Sequence, residues 1–375
     1  MSRILFVANW DWVLFNFRLP LASAARRAGH EVFLVCPNGP YAAEMRALGF
    51  EVIDWPLIRR SVNPLRETLA ITRLMAIYRS MKPTLIQHFT IKPSVYGSLA
   101  VRALRRCRCP LINTFSGLGF LFSRAGKARL LRAAVSPALR FALCNRQTWT
   151  VFHTEADREA FVRFGLASPD RVRLIPGSGV DTKRFRPCSA PHGRVPVVVT
   201  GARLLWDKGV GDLVAACRIL RRDGVQAECW VAGETDPGNP SCIPRTTIDE
   251  WQREGIVRFA GHTPRMEELL SKADIAVLPS YYEGVPRFLL EAASAGLPVV
   301  ATDIDGCRSV VHAGVNGLLV PPRSPELLAE ALRTLIGDPI LRRQYGEASR
   351  VIAEDHSEDK IIAEYLRLYA EMSTS

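Results

Sequence analysis

The segment Pro279-Ser280-Tyr281-Tyr282-Glu283-Gly284-Val285-Pro286-Arg287-Phe288-Leu289-Leu290-Glu291-Ala292 holds two carboxylates with seven residues between them. Gly284 permits a tight backbone turn, and Pro286 suits the first turn of a helix. The amides of Gly284, Val285 and Arg287 then lie at a helix start, where they can cradle a phosphate. Glu283 precedes that helix and either caps it or meets the ligand. Glu291 lies one to two turns inside. It either accepts hydrogen bonds from paired hydroxyls, as on a ribose, or is a solvated helix residue. A second cluster reads Gly201-Ala202-Arg203-Leu204-Leu205-Trp206-Asp207-Lys208-Gly209. Two fixed cations, Arg203 and Lys208, would neutralise a diphosphate there. A phosphate nest, two cations and a carboxylate fit for ribose together describe a nucleotide-diphosphate site.

These groups need elements to position them. Short runs rich in Val, Ile and Leu recur along the chain, each followed by a helical pattern. The runs predict strands over Arg3–Ala8, Glu31–Cys36, Thr84–His88, Pro110–Thr114, Trp149–His153 and Val172–Ile175. A second series covers Pro196–Gly201, Ala227–Ala232, Val257–Ala260, Asp274–Leu278 and Pro298–Thr302. Continuous apolar strands alternating with helices indicate parallel sheets covered on both faces. Three prolines fall within Arg186–Pro196 and read as a linker. The expected architecture is therefore α/β, with two Rossmann-like, doubly wound domains facing each other across a cleft. The N-terminal domain is expected over residues 1–187 and the C-terminal domain over 196–356. An amphipathic helix over Asp359–Met372 lies in a final segment, 357–375, expected to return to the first domain.

The chain has 375 residues, 48% hydrophobic and 23% charged, which excludes global disorder. No apolar run is long enough for a membrane span, and Asp11 interrupts the N-terminal apolar stretch, against a signal peptide. Nine cysteines without framework spacing read as reduced thiols. The net charge of +12 is uneven. Residues 1–187 carry 29 Lys and Arg against 11 Asp and Glu, while the remainder carries 20 against 26. No acid occurs between Glu67 and Glu155, where 14 Lys and Arg do. Such a face suits an anionic membrane surface, a phosphorylated substrate or nucleic acid. The stretch Leu118–Arg146 mixes Phe and Leu with six Lys and Arg. It reads either as an interfacial amphipathic segment or as an ordinary helix with a basic outer face.

With these motifs the sequence resembles the retaining glycosyltransferases of family 4, of the GT-B fold. Glu283 and Glu291 match that family's paired glutamates. Gly201-x-Arg203 with Lys208-Gly209 matches its diphosphate-binding pair, and Gly177-Ser178-Gly179-Val180-Asp181 matches as well. Asn16-Phe17-Arg18-Leu19-Pro20, His88-Phe89-Thr90-x-Lys92-Pro93, Asn113-Thr114-x-x-Gly117-Leu118-Gly119 and Asp305-Gly306-Cys307-Arg308 resemble a narrower subgroup. Its members are undecaprenyl-diphosphate-sugar N-acetylgalactosaminyltransferases of bacterial glycan assembly.

The resemblance implies a UDP-sugar donor, with a sugar of the N-acetylhexosamine type, and a lipid-diphosphate-linked saccharide as acceptor. Arg203 and Lys208 would hold the leaving diphosphate, Glu291 the ribose, and Glu283 the donor sugar hydroxyls beside the Gly284 and Val285 amides. It implies no cofactor and no metal. The protein would be cytoplasmic, peripheral to the anionic inner face of the plasma membrane, without a nucleic-acid partner. Asn16, Arg18, His88, Lys92 and His153 are the candidates for acceptor binding; His153, at the end of its strand, reads more readily as a satisfied structural histidine. Asp303-Ile304-Asp305 has a metal-binding form but follows a strand in a domain already supplied with cations.

The sequence departs from the family in three places. Phe115-Ser116-Gly117 lacks a sugar-facing histidine. Ser309 replaces an acid. Asn9-Trp10-Asp11-Trp12 replaces a Gly-Gly loop, so acceptor binding there must differ. Competing readings are the same transfer to a soluble acceptor, a nucleotide-sugar epimerase, and nucleic-acid binding through the basic N-domain. The last lacks a recognisable motif and leaves the acidic second half unexplained.

Overall fold

A computed structural model describes residues 2–59, 61, 63–104, 109–116, 136–145, 147–188 and 195–373. The chain divides into two compact units, Met1–Ser178 with Ile361–Ser375, and Gly179–Lys360.

The first unit is built on a seven-stranded sheet. Its strands are β1 (Arg3–Ala8), β2 (Glu31–Cys36), β3 (Glu51–Asp54), β4 (Leu85–Phe89), β5 (Leu111–Phe115), β6 (Thr148–Phe152) and β7 (Val172–Leu174). All pairings are parallel, in the order β3-β2-β1-β4-β5-β6-β7. Strand β1 shows why the sheet needs cover on both faces. Ile4, Phe6 and Ala8 pack on one side with Leu21, Ala25, Tyr365 and Tyr369. Leu5 and Val7 pack on the other with Trp55, Leu74, Tyr78 and Ile86. The alternation follows the two-residue period of a strand. The last helix, Glu358–Ser373, presents Ile361, Tyr365, Leu368, Tyr369 and Met372 to this core at helical spacing.

The second unit holds a six-stranded sheet of β8 (Val197–Gly201), β9 (Glu228–Ala232), β10 (Arg258–Gly261), β11 (Ile275–Leu278), β12 (Val299–Thr302) and β13 (Gly317–Val320). These strands are again all parallel, ordered β10-β9-β8-β11-β12-β13. In each sheet the winding reverses once, between β1 and β4 and between β8 and β11. Ligands of doubly wound sheets bind outside the strand carboxyl ends at that reversal. Arg203 and Lys208 follow β8, and Glu283 to Arg287 follow β11.

Strands β3 and β13 were not among the expected ones. Both are edge strands and short, and β3 has half-buried Val52 and Ile53 between exposed Glu51 and Asp54. In β3 the apolar run is only Val52-Ile53 between two acids, and β13 is an apolar stretch of four residues that opens on Gly317. The units divide at Ser178 and Gly179, ahead of the proline-rich stretch. Residues 179–188 belong to the second unit because it anchors them at a few buried positions. Phe185 is 2% exposed, and Val180 exchanges backbone hydrogen bonds with His356 and Glu358. The Arg350 guanidinium donates to the Thr182 and Phe185 carbonyls.

Candidate active site

The loop after β8 runs through a short turn, Trp206–Lys208, into the helix Val210–Arg222. Gly209 makes the junction with φ of 67°, a left-handed conformation. A Cβ there would overlap the Pro279 carbonyl oxygen. The loops after β8 and β11 therefore touch backbone to backbone. The Tyr281 amide donates to the Asp207 carbonyl at 2.9 Å. This contact carries Lys208 to Glu283, with Nζ and Oε1 2.6 Å apart and side chains only 19% and 15% exposed. On the far side, a Cβ on Gly306 would overlap the Gly284 and Glu283 carbonyl oxygens. Glu283 and Gly284 are thus clamped between two glycines that permit close approach.

Pro286, with extended backbone, precedes the helix Arg287–Ser294, and no side chain caps it. Glu283 is committed to Lys208 rather than to the cap. Glu291 is not a solvated helix residue: its side chain is 12% exposed, and Arg287 Nε donates to its Oε1 at 2.8 Å. Burial pushes the Glu291 carboxyl above the ordinary carboxylate range, against the opposing charge of Arg287. Helix pitch explains the pairing, because residues four apart share a face. Gly284, Val285 and Arg287 stand at the start of this helix, where backbone amides lack helical partners.

Arg203 and Lys208 do not meet each other's carboxylate. Arg203 Nη1 lies 2.7 Å from Asp236 Oδ2, and its side chain is 50% exposed. Asp236, in the loop after β9, went unnoticed in the sequence. Its signal was Gly233-Glu234-Thr235-Asp236 at a strand's carboxyl end. A Cβ on Gly233 would overlap the Ala202 carbonyl oxygen, which brings the two loops together. Asp303 and Asp305 both pair with Arg308, at 2.7 and 3.1 Å. Among the described residues no group of three or more His, Cys, Asp or Glu could hold a metal.

The first unit brings together two of its five candidates. Arg18 and His153 are both buried, with Arg18 Nη2 3.3 Å from His153 Nε2 and the guanidinium 4.8 Å from the Phe89 ring centroid. Burial and the neighbouring guanidinium hold His153 well below the ordinary histidine range. Arg18 is a buried charge rather than a solvated one. Asn16 donates to the Trp12 carbonyl at 3.1 Å. Lys92 donates to the Ser61 carbonyl at 2.6 Å and pairs with Glu67 at 3.0 Å, pinning the chain near residue 61.

His88 is a correction. It is fully buried on β4, with Nε2 2.9 Å from the Tyr78 hydroxyl and Nδ1 2.8 Å from Asn113 Oδ1. A Cβ on Gly97 would overlap its ring. Burial pushes its pKa down to about 4. All its partners are internal, so it supports the core and presents nothing to an acceptor. Most of the basic stretch 118–146 lies outside the described residues, as do Gly117, Leu118 and Gly119. Among the described residues no helix is long and apolar enough to cross a membrane.

Two wound parallel sheets, with this constellation at the reversal of the second, define the GT-B class of fold. The chain is a glycosyltransferase and belongs to that family in both halves. The glycosyl transferases group 1 family matches residues 181–351, and the glycosyl transferase 4-like family matches residues 3–147. The N,N'-diacetylbacillosaminyl-diphospho-undecaprenol alpha-1,3-N-acetylgalactosaminyltransferase of Campylobacter jejuni is 28% identical, covering 98% of each chain. Among solved structures, Anabaena HepE in complex with UDP superposes with TM-score 0.79 at 20% identity, over 98% of this chain and 100% of that one. A glycosyltransferase of Rickettsia africae gives TM-score 0.78 at 17% identity, over 99% and 98%.

Proposed function

We propose that this protein transfers a hexose-type sugar, an N-acetylhexosamine, from a UDP-sugar to an undecaprenyl-diphosphate-linked saccharide, with retention of anomeric configuration. The observation that carries the reading is the shielded Lys208–Glu283 pair beside the helix that holds Glu291. The name of the Campylobacter jejuni relative supports the acceptor class.

In this reading Lys208 and Arg203 take the developing charge on the leaving diphosphate. Preorganised charge in a water-poor site is worth about 3–4 kcal/mol in such reactions, which applies to the shielded Lys208; the half-exposed Arg203 contributes less. Glu283 meets the donor sugar hydroxyls, and the Gly284 and Val285 amides meet phosphate. Glu291, fixed by Arg287, accepts from the ribose hydroxyls. The bond from the anomeric carbon to the diphosphate oxygen breaks as the acceptor hydroxyl attacks the same face. The hydroxyl proton passes to the departing oxygen. The cations take the part a divalent metal plays in other transferases, so EDTA is expected to leave the rate unchanged.

The acceptor sits at a bilayer surface, and the surplus of Lys and Arg in residues 1–187 suits peripheral binding to the anionic inner leaflet of the plasma membrane. The decisive experiment is UDP release from a panel of UDP-sugars, with and without short-chain undecaprenyl-diphosphate N-acetylhexosamine. Release with one donor that requires the lipid is expected. Release that requires instead a soluble acceptor would overturn the acceptor class and the membrane reading together.

A further inference from the structure

We infer that Trp10, Trp12 and Arg59 form the subsite that receives the acceptor's first sugar and its diphosphate; the inference rests on the acceptor class proposed above. The loop after β1 lies at the winding reversal of the first sheet, where β1 pairs with β4. Two indoles stack there, Trp10 on Trp12, with ring centroids 4.8 Å apart and planes at 25°. Phe17 packs edge-on to Trp12 at 4.9 Å. The Arg59 guanidinium lies 4.3 Å from the Trp10 centroid. Both indoles remain half-buried instead of entering the core.

The surrounding chain is built to hold them. Asp11, between the two tryptophans, is 3% exposed. Its carboxylate accepts from the Trp12 amide at 2.9 Å, the Tyr41 amide at 2.9 Å and the Ala42 amide at 3.2 Å. A Cβ on Gly39 would overlap that carboxylate. Thr90, just after β4, adopts φ of 76°, and its hydroxyl donates to Asn9 Oδ1 at 3.0 Å. A β-branched residue with positive φ is strained, and such strain persists where surrounding structure over-determines it. A five-residue π-helix, Leu14–Arg18, follows directly. Such turns gather at functional sites.

A core has no use for two indoles held half out of it by a buried carboxylate. Their flat apolar surface complements the C–H face of a hexose, and the adjacent guanidinium complements a diphosphate. Charge favours this occupant, because the first 187 residues carry 29 Lys and Arg against 11 acids.

Initial rates with a water-soluble short-chain lipid-diphosphate saccharide test the subsite in Trp12→Ala, Trp10→Ala and Arg59→Gln. UDP affinity by calorimetry serves as the folding check, and Trp12→Phe is the conservative variant. The acceptor KM is expected to rise about tenfold in each, with the donor KM nearly constant and Trp12→Phe largely rescued. An unchanged acceptor KM in all three overturns the subsite while leaving the proposed function standing. A defect seen only with acceptor in anionic vesicles, and not in solution, overturns it in favour of membrane anchoring by the indoles. If the unmodified protein binds UDP but transfers to no lipid-diphosphate saccharide, the proposed function fails first and this subsite with it.

Discussion

Lys208 Nζ and Glu283 Oε1 lie 2.6 Å apart although the residues are separated by 75 positions in the chain. The pair is made by two loops at the reversal of the second sheet, held in register by Gly209 against Pro279. Its shielding from water strengthens the interaction and places a cation beside the helix start where phosphate is expected. In the proposed reaction, a diphosphate would give Lys208 a second anion while Glu283 stays in place.

Under the proposed function, removing either member is expected to cost more in catalysis than in binding. Lys208→Ala is expected to lower kcat by about 10²–10³ in a UDP-release assay. Glu283→Gln is expected to lower it by about tenfold or more. The double variant should lose less than the sum, because each single change already disables the shared unit. Full additivity would show that the two act apart.

Arg203 is held differently, half-exposed against Asp236. In the proposed reaction, donor binding would draw it away from that carboxylate. Asp236→Asn removes the competitor, and UDP affinity measured by calorimetry should rise about two- to fivefold. Arg203→Ala should weaken UDP binding instead. Equal weakening in both variants would mean that Asp236 positions Arg203 rather than competing for it.

Backbone approach makes Gly209 costly to replace. Gly209→Ala adds a Cβ at φ of 67° and drives it into the Pro279 carbonyl. Urea unfolding should show a loss of about 3 kcal/mol or more. At Gly224, also left-handed but with open space around it, the same change should cost about 1 kcal/mol.

The buried histidine makes the first unit acid-sensitive. His88 titrates near 4 in the fold against an ordinary 6.5. A depressed pKa means the unfolded chain binds the proton first as pH falls. The stability is full above pH 6.5 and is lost as pH falls from about 6.5 to 4, amounting to about 3 kcal/mol. His153, held down by burial beside Arg18, adds loss in the same direction. Denaturant unfolding at pH 7 and pH 4.5 measures it. The difference should shrink in His88→Gln, compared at both pH values.

Much of this was readable from residue order. Strands such as β1 and β2 carry continuous apolar runs because both their faces are covered, and their limits coincide with the expected ones. The placement of the Arg203–Lys208 and Glu283–Arg287 segments was legible because Gly and Pro after apolar runs mark the loops that follow β8 and β11. Strands β3 and β13 were not legible: the apolar run of β3 is only Val52-Ile53 between two acids, and β13 is four residues long and opens on a glycine.

Pairings across the fold were decided only by tertiary structure. His88 read as a polar residue at a strand end and Arg18 as a charge at the start of the first helix, yet the fold buries both. It closes His88 between Tyr78 and Asn113 and sets Arg18 against His153. Lys208 and Arg203, five positions apart, take different carboxylates because separate loops present Glu283 and Asp236. Local sequence sets the type and spacing of groups. Which group meets which follows from strand order and from where glycines let backbones touch, and those relations span stretches of chain that no local pattern records.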